Sequence, residues 1–79
     1  MIKKEKIAGE VDHTLRNVYN ILNKSIRYVN ENGSEAESER YRHIIGKIFY
    51  VLIFEIWEPL YQEHPRLKPA DWEDEKSAE

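Results

Sequence analysis

The stretch Ile44-Ile45-Gly46-Lys47-Ile48-Phe49-Tyr50-Val51-Leu52-Ile53-Phe54-Glu55-Ile56-Trp57 decides the fold. Read as a helix at about 100° per residue, with Leu52 at zero, it places Tyr41, Ile45, Ile48 and Ile56 within about 40° of one line. Phe49, Ile53 and Leu60 follow at about 60° to 100°, and Tyr50, Phe54, Trp57 and Tyr61 at about 140° to 200°. The apolar arc covers roughly two-thirds of the circumference, far wider than the stripe of an ordinary surface helix. Arg40, Lys47, Glu55, Glu58 and Gln62 share the remaining wedge with Ile44 and Val51. One neighbouring helix covers one seam of such a surface, so the aromatic stripe needs a second cover.

Upstream, Ala8, Val11, Leu15, Val18, Leu22, Ile26 and Val29 alternate at spacings of three and four, the period of a helix-packing seam. Helix one is therefore expected over about residues 4–31, with Glu10, Asp12, His13, Arg16, Asn17 and Asn20 on its polar surface. Lys3, Lys4 and Lys6 oppose the dipole at its start. Gly33 suits the left-handed residue that ends a helix, and Ser34 with Glu37 forms a capping box that begins the next. A turn over 32–34 makes the helices antiparallel neighbours. Helix two is expected over about 35–58, with a kinked extension to 63 past Pro59. Gly46, within the apolar arc, offers close approach to another helix.

From His64 the pattern changes. His64-Pro65-Arg66-Leu67-Lys68-Pro69 reads as extended chain, because a residue before proline avoids the helical region. Leu67 and Trp72 are expected to dock on the bundle, and the acidic run from Asp71 to Glu79 to be mobile. The fold class is thus all-α: residues 1–63 form an antiparallel two-helix hairpin that dimerises into a four-helix bundle, and residues 64–79 an extended, acidic, partly disordered tail.

With 79 residues and no Cys, neither disulfides nor thiolate metal sites can supplement a small core, and oligomerisation is the remaining route. A net charge of −3 argues against a nucleic-acid binder, which presents a basic face. The apolar run is shorter than the ~20 residues of a membrane span. No secretory hydrophobic region follows Met1 to Lys6, so a cytoplasmic setting is expected.

Candidate chemistry is sparse. Glu10-Val11-Asp12-His13 is a Glu-x-x-His on a helix, and a dimer would supply two such units plus two further glutamates, the ligand set of a di-metal carboxylate bundle. With Val11 at zero, however, Glu10 lies near −100° and His13 near 160°, both turned from the seam. Glu55 flanks the apolar arc, where burial raises a carboxylate's pKa, but no second acid, base or nucleophile converges on it. It is read as a rim residue paired with Lys47, Arg40 or helix one. His43 reads as a hydrogen-bonded interface histidine, and His64 has no partner at ligand spacing. No phosphate loop or nucleophile motif is present, and no cofactor, metal or catalytic residue is assigned.

The surface expected to carry function is the aromatic seam Phe49, Tyr50, Ile53, Phe54, Trp57, Leu60 and Tyr61, as a homodimer or partner interface. A pocket for a flat ligand is the other use of such a stripe. The sequence therefore points to a non-enzymatic homo-oligomeric interaction module, with a tetramer also open. An acidic antitoxin- or immunity-type partner is the alternative, and a di-metal enzyme the third.

Overall fold

A computed structural model describes residues 1–70 and residue 72. Among them every element is helical, with no strand: α1 (Glu5–Asn32), α2 (Glu35–Tyr50), a π-helical segment (Val51–Trp57), α3 (Glu58–Glu63) and a 3-10 turn (Pro65–Leu67). The expected acidic mobile end over residues 71 to 79 lies outside the described residues, Trp72 apart.

The hairpin forms where the capping chemistry stands. Ser34 Oγ accepts from the Glu37 backbone N–H (3.1 Å), and Glu37 Oε1 accepts from the Ser34 N–H (2.7 Å). The Ser34 backbone N–H, and next its hydroxyl, hold the Glu37 carboxyl below its ordinary pKa. Gly33 differs from expectation: its φ is −97° and ψ 176°, extended backbone open to any residue. Its requirement is space. Its N–H donates to Val29 O (2.7 Å), and an added Cβ would come within 3.0 Å of that oxygen and 3.1 Å of Glu37 Oε1.

Tertiary contacts fix the pairing register. Ser38 Oγ donates to Val29 O (3.3 Å), Ser25 and Tyr41 share a hydroxyl–hydroxyl bond (2.8 Å), and the rings of Tyr19 and Phe49 lie 4.4 Å apart. Partners along the hairpin thus sum to about 67, which sets Val18 level with Phe49 and Ile21 level with Gly46.

Where a kink at Pro59 was expected, the helix instead widens before it. Pro59 has no N–H for the Glu55 carbonyl, and its ring would crowd that oxygen in a regular helix. The π segment leaves the Glu58 N–H bonded to Ile53 O, one residue further back than in an α-helix. Each residue of a wider turn advances by about 20° less than in an α-helix, so the lag accumulates along the segment. Trp57, about 140° from Leu52 on a regular wheel, swings back towards it, and Leu60 and Tyr61 follow. All four are buried, whereas Tyr50, ahead of the segment, and Phe54, midway through it, stay 60% and 36% exposed.

The core sits at the end of the hairpin away from Gly33. Ala8, Leu52, Ile53, Trp57, Leu60, Tyr61 and Trp72 form it, with Ile2, Leu15, Tyr19, Phe49, Ile56 and Leu67 packed around. The tail folds back as a strap. His64 N–H donates to Leu60 O (2.8 Å), closing α3, and the buried His64 ring meets Ile2 O (2.5 Å). Trp72 stacks edge-on against Tyr61 and Trp57, at 5.0 and 6.1 Å between ring centroids. The Met1 amino group reaches Glu63 (3.0 Å) and Arg66 reaches Glu5 (3.7 Å). In the turn half, Ser38 and Ile45 are the buried residues of α2.

Candidate interaction surface

Asp12 organises the closed end. It follows Ala8 by four residues and precedes Leu15 by three, so it lies at the edge of the α1 seam and is only 7% exposed. A carboxylate that far from water must be matched by donors. Trp57 Nε1–H (3.0 Å) and the Tyr61 hydroxyl (2.5 Å) both donate to Oδ1, and Arg16 Nε–H donates to Oδ2 (3.1 Å) from one turn along. Arg16 then spans to the Tyr61 oxygen (3.5 Å) and to the Leu67 carbonyl of the strap (3.3 Å).

The pKa directions follow from this packing. Burial, then the bond to Asp12, pushes the Tyr61 phenol up to about 12, with Arg16 offsetting part of the rise. Burial alone would lower Arg16, but Tyr61 and Asp12 together hold its guanidinium above the ordinary value. Both carboxylate oxygens, the indole N–H and the phenol of the cluster are thus matched by neighbours, and Trp72 packs on Trp57 and Tyr61. Among the described residues, no buried side-chain polar atom lacks a partner. The cluster is a clasp that ties α1 to α3 and the strap, with no open position for a ligand.

The aromatic seam is accordingly divided. Ile53, Trp57, Leu60 and Tyr61 are buried within their own chain, and Phe49 packs on Tyr19. Tyr50 and Phe54 remain outward, stacked on each other at 4.7 Å. The strap and the clasp supply the second cover that the stripe requires. Asp12 and Arg16 escaped the sequence reading, which assigned both to the polar surface. The available signal was a carboxylate three and four residues from seam positions, with an arginine one turn later.

Other candidates stay apart. Glu10 and His13 are both exposed, and among the described residues no group of three or more His, Cys, Asp or Glu converges on a point. His43 and Glu55 face outward, and Gly46 meets open space, where an added Cβ would touch nothing within 4 Å. A shallow hollow lined by Asn20, Asn23, Lys24, Ile26, Arg27 and Asn30 belongs to one helix, so no second wall encloses a ligand. No helix among the described residues is long and apolar enough to cross a membrane.

What remains open is aliphatic. Val18, Ile21, Ile44, Ile48 and Val51 are all exposed, Ile21 by 63% and Val51 by 44%. Ile44, Ile48 and Val51 recur at four and three residues, one stripe of α2 continued into the π segment. Val18, which the spacing alone puts on the α1 seam, is instead exposed, and with Ile21 it lies to one side of that seam in the same angular sense, which in an antiparallel pair is the same side. The hairpin register sets them level with Ile44 to Val51. Five branched side chains thus make one patch at mid-hairpin, on the side opposite Asp12 and the strap. No protein-family model, curated protein or solved structure matches this chain.

Proposed function

We propose that the chain is a non-enzymatic protein-interaction module that works as a homodimer, its two hairpins forming a four-helix bundle. One observation carries this reading: the mid-hairpin patch of Val18, Ile21, Ile44, Ile48 and Val51 is open, whereas the aromatic seam is largely closed by the strap. Single exposed apolar residues are ordinary, but contiguous apolar patches mark interaction surfaces.

The shape agrees. The radius of gyration is 14.4 Å and the extents 44 × 23 × 19 Å, against about 12 Å for a compact chain of this length. A rod of two helices has one shared seam, and its turn half buries little. A second hairpin laid along the patch would complete that half. Tyr50, at the end of α2, and Phe54, in the π segment, are exposed outside this patch.

The experiment is absolute solution mass by light scattering across a dilution series, for the natural chain and for Ile48→Asp. The natural chain should hold a dimer mass into the low micromolar range. Ile48 is exposed within the protomer, so Ile48→Asp should give a helical monomer. A folded monomer at every concentration of the natural chain would sink the homodimer.

A further inference from the structure

We propose, resting on the homodimer reading, that the two α2 helices pair antiparallel about a two-fold axis level with Ile48 to Val51, with the partner's Glu55 received between Arg40 and Lys47. The aliphatic stripe alone does not choose a direction, because Ile44, Ile48 and Val51 would pack against themselves either way. The charges flanking it do choose. Arg40 and Lys47 stand on the outer edge of the stripe towards the Gly33 turn, and Glu55 stands on the same edge towards the core. All three are exposed, and none takes part in the ion pairs among the described residues, which join Met1 to Glu63, Arg16 to Asp12 and Arg66 to Glu5.

A parallel pairing would set Arg40 against the partner's Arg40, Lys47 against the partner's Lys47 and Glu55 against the partner's Glu55. Each of these is a like-charge contact. An antiparallel pairing with Ile48 opposite the partner's Val51 places position 55 level with position 44 of the other copy. Position 44 lies between Arg40 and Lys47, each within about 6 Å along the axis at about 1.5 Å per residue, a distance both long side chains span. The two-fold repeats this on the other side, so four basic groups meet two carboxylates. Exposed pairs contribute little affinity, but opposing like charges reject the wrong arrangement. The same axis passes close to Val18 and Ile21, which the hairpin register sets level with Phe49 and Gly46, so all five patch residues fall within one contact.

The chain has no Cys, so engineered cysteines report pairing without interference. Ile44→Cys and Glu55→Cys both replace exposed residues and leave the core and the clasp untouched. Under mild oxidation, a mixture of the two variants should give the mixed disulfide in about tenfold excess over either symmetric one. Positions 44 and 44 of an antiparallel pair lie about 16 Å apart along the axis, beyond disulfide reach. Charge reversal gives a second readout: Glu55→Lys should dissociate the dimer, and mixing it with the Arg40→Glu, Lys47→Glu double variant should restore it.

A symmetric disulfide from each variant alone would establish parallel pairing and overturn the inference. A stable natural dimer that forms no disulfide and ignores charge reversal would overturn it while leaving the homodimer standing. A natural chain that is monomeric throughout would overturn both.

Discussion

Asp12 holds three donors, two of them, Trp57 and Tyr61, from other segments of the chain and the third, Arg16, from its own helix. Removing the carboxylate by Asp12→Ala strands a buried indole N–H and a buried phenol, and losses of this kind cost about 3 kcal/mol. Urea titration followed by the fluorescence of Trp57 and Trp72 should show that loss, and a change below about 0.5 kcal/mol would mean that the clasp contributes packing alone. Tyr61 makes the same cluster sensitive to alkali. Its folded pKa of about 12 lies above the unfolded value of about 10. A raised folded pKa stabilises fully below the unfolded one and fades as pH climbs through the folded one. Stability should therefore fall between pH 10 and 12, and Tyr61→Phe should flatten that decline relative to the natural chain. None of this is legible in periodicity. Asp12 stands four residues from Ala8 and three from Leu15, but a wheel reports only where a side chain lies, and its partners Trp57 and Tyr61 come from forty-five and forty-nine residues away.

At the scale of the element, the capping box at Ser34 and Glu37 was legible because every atom it uses lies within four residues. Ser34→Ala removes one cap and should lower stability by about 1 kcal/mol, measurable as a shift in the urea midpoint at constant slope. Glu37 adds a pH signature with the opposite sign to Tyr61. Its lowered pKa stabilises the turn above the unfolded carboxyl value, and that contribution disappears as pH falls through the folded one. The π segment was not legible. Pro59 announces a disturbance, but a kink and a widened turn remove the same clash, and only the demand to bring Trp57 and Tyr61 onto Asp12 favours widening. A regular wheel therefore aims both residues outward, which is why the sequence places them on an open seam. Gly33 shows a related limit: its presence signals a turn, while the reason for it, the crowding by Val29 O and Glu37 Oε1, requires three dimensions.

At the scale of the molecule, the sequence reading of helix two as too apolar for one partner helix holds for two separate surfaces. The strap covers one, as the isolated Leu67 and Trp72 suggested. The other, centred on Ile48, stays open within the chain. If the dimer is the working form, thermal stability is linked to association, so Tm should rise with protein concentration for the natural chain and stay constant for Ile48→Asp. Scanning calorimetry over roughly a hundredfold range of concentration checks this. Identical, concentration-independent Tm values for both proteins would remove the link.

The position of the core along the chain also sets an order of events during synthesis. The turn half is joined by local contacts, Ser34 with Glu37, Val29 with Ser38 and Ser25 with Tyr41, which a growing chain can make as soon as residue 41 is available. The clasp joins Asp12 to Trp57 and Tyr61, and its cover is Trp72. Local contacts form early and distant ones late. A nascent chain therefore presents Ile44, Ile48 and Val51 on a formed hairpin before its own far end has closed, and two neighbouring ribosomes on one message would bring such half-finished hairpins together.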